Sequence, residues 1–120
     1  RQRQMCIRDR RKDLGMRKGK MVAQGAHASL GAVLRDGKLK TDADTKAWCE
    51  GRFTKICVSV DSEEELLEIY KQAGLAKLNR SLITDAGLTE FNGVPTKTAV
   101  GVGPGKPEIV DKVTGHLKLL

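Results

Sequence analysis

The chain has 120 residues, room for one domain with a sizeable core and too few for two. Its 39% hydrophobic and 31% charged residues fit a soluble globular protein, and no apolar run reaches the roughly 18 residues of a membrane span. The 3% aromatic content argues against a single-strand binder built on base stacking, and a net charge of +7 suits a nucleic-acid or phosphate partner without requiring one.

Residues 1–10, RQRQMCIRDR, carry +3 of that charge. An α/β domain should have its first strand here, yet only Met5, Cys6 and Ile7 suit a buried strand. We therefore expect residues 1–10 to be a non-native or disordered leader replacing part of strand one, and residues 11–120 to form the domain. Gly15 marks a turn before a helix from Lys18 to Arg35, whose core face should hold Ala23, Ala26, Leu30, Val33 and Leu34. Asp36-Gly37 signals a turn, and Thr41 is placed to cap a second helix that runs to Glu50 and stops at Gly51. Ile56, Val58 and Val60 alternate along a strand over 54–60. Asp61 or Ser62 caps the next helix, which has Glu63, Glu64 and Glu65 in its first turn and ends near Gly74. A short strand over 81–84 leads into Asp85-Ala86-Gly87. After a loop with Asn92-Gly93 at its tip comes a strand over 95–102, then a turn at Gly103-Pro104-Gly105. Pro107 opens a last helix carrying Ile109, Val110 and Val113, and the apolar tail 117–120 should pack back on the domain. This order predicts an α/β fold: a three-layer α/β/α arrangement around a four-stranded mixed sheet.

Two stretches carry chemistry. On the first helix Lys20, Gln24 and His27 recur at i, i+4 and i+7, and Gly31 continues that stripe with room for a ligand beside the imidazole. Asp85-Ala86-Gly87-Leu88-Thr89 follows directly on a strand, where α/β sheets gather their sites. Arg10, Arg11, Lys12, Arg17, Lys18 and Lys20 crowd the start of the helix and could grip phosphates. Each stretch has a plainer reading, a solvated helix face and a capped Asp-x-Gly turn. Cys6, Cys49 and Cys57 form no CxxC pair, so neither a metal-ligand set nor a disulfide framework is expected; a reducing cytoplasm fits them better. No Ser-His-Asp or Cys-His signature is present, which favours direct attack by water over a covalent intermediate.

Together the two stretches are distinctive. The chain resembles the archaeal/eukaryotic-type peptidyl-tRNA hydrolase family, type 2. The resemblance rests on Arg-Lys-Asp-Leu at 11–14, Met-Arg-Lys-Gly-Lys at 16–20, Ala-Gln-Gly-Ala-His-Ala at 23–28, Asp-Ala-Gly-Leu-Thr-Glu at 85–90, Gly-Pro at 103–104 and the ending at 110–120. It departs at residues 1–10, where the family has an apolar strand. The resemblance implies hydrolysis of the ester between a peptide and the 3′-terminal ribose of tRNA, without cofactor or metal, in members that are often homodimers. Ester hydrolysis needs an activated water, a donor for the oxyanion and a grip on a polyanion. His27 or Asp85 would activate the water, and Lys20 and Thr89 would complete the catalytic set. Lys18, Arg17, Gln24 and Thr98 would bind substrate. A non-catalytic domain binding tRNA or protein through the same basic surface is the alternative. A nucleotide-binding enzyme built on Gly101-Val102-Gly103 is more distant, because Pro104 removes a donor amide from that turn.

Overall fold

A computed structural model describes residues 3–87 and 92–119. Four strands form one mixed sheet: β1 (Gln4–Arg11), β4 (Thr54–Val60), β5 (Arg80–Asp85) and β6 (Thr96–Gly105), in the order β4-β1-β6-β5. β1 runs parallel to β4, while β6 is antiparallel to both β1 and β5. β1, β4 and β5 therefore share a direction, and their carboxyl ends lie on one rim beside the start of β6. Two further strands, β2 (Leu34–Arg35) and β3 (Lys38–Leu39), make a separate hairpin around Asp36-Gly37. Both turn residues have positive φ, 53° and 76°, as a two-residue hairpin requires.

The helices α1 (Lys18–Val33) and α2 (Ala43–Glu50) cover one face of the sheet, and α3 (Glu63–Leu75) and α4 (Pro107–Thr114) cover the other. The alternation of β1 divides its side chains between two cores. Met5 and Ile7 join Ala28, Ala32, Val33, Trp48 and Ala99; Cys6 joins Val58, Leu66, Ile69, Val100 and Val110. This is the three-layer α/β/α arrangement expected from the order of elements.

Gln4–Arg11 is a central strand, between β4 and β6. Met5, Cys6 and Ile7 lie between the layers, each at most 3% exposed. The polar ends of the strand have partners. Gln4 Nε2 donates to Asp111 Oδ1 at 2.8 Å. The Arg11 guanidinium donates to Lys97 O at 2.9 Å, pairs with Asp13 and lies 3.9 Å from Glu63.

Three other boundaries differ from expectation. Asp42 rather than Thr41 caps α2, accepting from Thr45 N at 3.1 Å. α1 ends at Val33, and Leu34–Arg35 turns into the hairpin. β6 continues through Gly103-Pro104 to Gly105. Three steps there, from Val102 to Gly105, oppose two on β1, from Cys6 to Gln4. The extra residue forms a bulge, where a proline is tolerated. Ser62 caps α3, as anticipated, and the tail lies along β4, with Ser59 N donating to Lys118 O at 2.9 Å.

The largest correction concerns α1. Ala23, Ala26, Leu30 and Leu34, expected in the core, are exposed; Gln24, Gly25, Ala28, Ala32 and Val33 are buried. The helix lays its small residues and a glutamine on the sheet. Gly31 serves this packing rather than a ligand, since a Cβ there would stand 3.0 Å from Ser81 Cβ.

Candidate active site

The site grows from the last residue of β5. Asp85 ends that strand on the rim where the parallel strands finish, and α1 begins beside it. Lys20 Nζ donates to Asp85 Oδ1 at 2.5 Å, and both side chains are 14% exposed. One helical turn further along, Gln24 Nε2 donates to the same oxygen at 3.2 Å. The other oxygen, Oδ2, accepts from Gly87 N at 2.7 Å. Gly87 has φ +81°, and a Cβ on it would fall 2.2 Å from Val94 O, so the turn that aims this amide admits only glycine.

Gln24 is 2% exposed, and a buried amide needs partners on both atoms. Thr98, fully buried on β6, donates from Oγ1 to Gln24 Oε1 at 2.6 Å. That bond fixes the amide with its NH2 toward Asp85. The outcome is a continuous chain, Thr98 to Gln24 to Asp85 to Lys20, linking β6, α1 and β5. The Lys20 hydrogen bond, chief among the influences, holds the Asp85 carboxyl below its ordinary value against the opposing effect of burial; the Gly87 amide and the Gln24 side chain add to it. A carboxylate kept ionised beside an oriented ammonium, at an open rim, can order a water and stabilise negative charge as it develops.

Four of the eight residues singled out in the sequence, Lys20, Gln24, Asp85 and Thr98, meet here. His27 does not touch the carboxylate. It is exposed and, among the described residues, takes part in no hydrogen bond or ion pair. Arg17 and Lys18 are exposed, and Lys18 lines an open groove with Met21, Val22, Ile7, Lys55 and Cys57, on the flank of α1 away from Lys20. Thr89 lies outside the described residues. Of the basic cluster, Arg11 is only 8% exposed and committed to Asp13 and Lys97, so it offers no grip to a phosphate. Sequence reasoning missed this buttress at the foot of β6; the Arg-x-Asp spacing at 11–13 was its only local trace. Among the described residues no group of three His, Cys, Asp or Glu side chains could hold a metal ion, and no helix is long and apolar enough to cross a membrane.

The family model for peptidyl-tRNA hydrolase PTH2 matches residues 5–120. The chain belongs to that family. It is 50% identical over 110 residues to the peptidyl-tRNA hydrolase of Methanocaldococcus jannaschii, covering 92% of this chain and 94% of that protein. The Thermococcus onnurineus peptidyl-tRNA hydrolase is 45% identical over 92% of each chain. A probable peptidyl-tRNA hydrolase 2 of Drosophila melanogaster is 44% identical over 92% of this chain and 58% of its own length. The match to the PTH2 family begins at Met5, so it takes in most of β1.

Proposed function

We propose that this protein hydrolyses the ester joining a peptide to the terminal ribose of tRNA, freeing the tRNA for translation in the cytoplasm. Family membership supplies the reaction; the ion pair of Lys20 and Asp85, anchored through Gln24 to Thr98, is the observation that carries its assignment to this rim. In this reading Asp85 orients a water and takes its proton as the water adds to the ester carbonyl. Lys20 faces the oxyanion that forms, where a preorganised cation acts more strongly than it would in bulk water. Collapse of the intermediate expels the ribose oxygen, which receives the proton. Gln24 and Thr98 hold the carboxylate in line. His27, exposed one turn beyond Gln24, contacts the substrate rather than the water. Thr89 would supply a neutral hydrogen bond to the ester, as the family resemblance implies. Arg17 and Lys18 meet phosphates near the acceptor end.

A domain that only binds tRNA would have little use for a carboxylate buried against a lysine and a glutamine, and the relatives are named as hydrolases. Homodimerisation is the assembly we favour, supported by exposed apolar side chains on α1 such as Val22, which is 72% exposed. The test is turnover of peptidyl-tRNA by the purified protein and by Asp85→Asn. Hydrolysis by the first, with a steep loss and retained tRNA binding in the second, is expected. Turnover that survives Asp85→Asn would defeat the assignment.

A further inference from the structure

At the opposite end of β5 from Asp85, five cations gather. Arg35 and Lys38 come from the hairpin, Lys40 follows it, Lys77 follows α3 and Arg80 begins β5. Among the described residues none of the five forms an ion pair with Asp or Glu. Arg35, Lys40, Tyr70, Lys77, Asn79 and Arg80 line an open depression of about 410 Å³. An adjoining one of about 670 Å³ shares Arg35, Lys40 and Asn79 and adds Lys38.

Arg80 is held in advance. Its guanidinium stacks over the Tyr70 ring at 3.9 Å, donates to Tyr70 O at 3.0 Å and occupies space that a Cβ on Gly74 would invade at 2.6 Å. Fixing a planar donor before the ligand arrives lowers the entropic cost of binding. Lys40 is restrained too, donating to Asn79 Oδ1 at 3.4 Å. Burial, with the charge of Arg35 adding to it, lowers the Lys40 pKa, while Asp42 acts the other way. The two carboxylates nearby do not neutralise the group. Asp42 is occupied by Thr45 and Asn79, and Asp36 sits exposed in the hairpin turn. Like charges held this close without acidic partners favour an anion between them.

We propose that this surface is a second contact for the phosphodiester backbone of the RNA substrate. The inference rests on the tRNA reading given above. The six residues of β5 separate it from Asp85 by about 17 Å along the strand. A tRNA with its ester at Asp85 extends much further than that, so phosphates can engage both ends of the sheet. The role of this surface is affinity and register, not chemistry.

The test compares the unaltered protein with Lys38→Gln/Lys40→Gln/Lys77→Gln and with Lys38→Gln/Lys77→Gln, which spares the Lys40 bond to Asn79. Binding of deacylated tRNA is measured against salt, and turnover is measured on peptidyl-tRNA and on a short ester, an N-acetylaminoacyl CCA trinucleotide. Each lost phosphate contact should flatten the salt slope by about 0.7–0.9, so the triple variant should lose about 2–3 from it. Over a fourfold rise in salt the unaltered protein then loses about twenty- to fortyfold more affinity than the triple variant. KM for peptidyl-tRNA should rise, kcat should hold, and the short ester should be cleaved equally by all three proteins. An unchanged slope in both variants would overturn the proposal. Absence of turnover by the unaltered protein would instead defeat the catalytic reading, while the slope would still decide this surface.

Discussion

Replacing Lys20 with methionine removes the ammonium while keeping most of the side chain's length. Lys20 sits 2.5 Å from Asp85 Oδ1 and is 14% exposed, so it is already neutralised and largely withdrawn from solvent. In the proposed mechanism a lysine so placed acts on the reacting ester rather than on the RNA backbone. Losing one preorganised donor to an oxyanion costs roughly 10²–10³ in kcat, about 2.7–4 kcal/mol of barrier. The charge-assisted hydrogen bond is worth about 1.5–3 kcal/mol of stability. Removing the ammonium also leaves the largely buried Asp85 carboxylate without its counter-ion, so unfolding free energy should fall by at least the upper end of that range. Asp85 keeps Gly87 N and Gln24 Nε2 but loses the strongest influence depressing its pKa. Single-turnover hydrolysis over a range of enzyme concentrations separates binding from chemistry. The expected result is a fall in the limiting rate with affinity for tRNA nearly unchanged. Lys20→Arg should restore only part of the rate, since a planar fork does not reproduce a compact ammonium. A limiting rate within a few-fold of the original, with the salt slope of tRNA binding reduced by about 0.7–0.9, would identify Lys20 as a phosphate contact and refute the reasoning.

Three further outcomes follow from the same geometry. Thr98→Val keeps the shape of a fully buried side chain but leaves Gln24 Oε1 without its donor, which should cost about 1–3 kcal/mol in denaturant unfolding and lower kcat more than it raises KM. Gly31→Ala forces a methyl to within 3.0 Å of Ser81 Cβ; urea unfolding should show a loss of about 1–3 kcal/mol, and a neutral result would mean that α1 shifts freely on the sheet. Asp85 is lowered in the folded state, so its contribution to stability is complete above the unfolded carboxylate value of about 3.9 and disappears as pH falls through the lower folded value. The stability difference between the unaltered protein and Asp85→Asn should therefore be largest near neutral pH and shrink below pH 4, as urea titrations at several pH values would show.

The order of elements was legible because it depends on local signals. Alternation at Ile56, Val58 and Val60 marked β4, Asp36-Gly37 marked the hairpin turn, and Asp85 was recognisable as the residue that leaves a strand. The face of α1 was not legible in the same way. A glutamine is placed outside by its polarity, yet Gln24 is buried because Asp85, 61 residues on, and Thr98, 74 residues on, satisfy both ends of its amide. Nothing near position 24 records that. β1 was obscured for a similar reason. Arg11, at its carboxyl end, looks foreign to a sheet until it is seen to spend its donors on Asp13 and Lys97. The same long-range pairing brought Lys20 to the carboxylate in the place where the helical stripe alone suggested His27.

The pH dependence of kcat/KM with saturating salt-matched buffers tests the centre of the account. If the ionised Asp85 takes the proton, the rate should stay flat from pH 7.5 down to about 5, because the carboxyl titrates below its ordinary 3.8. His27→Ala should leave that profile in place. An acid limb falling tenfold per pH unit below about 6.5, abolished by His27→Ala, would assign the proton transfer to an imidazole and contradict the central role of the Lys20–Asp85 pair.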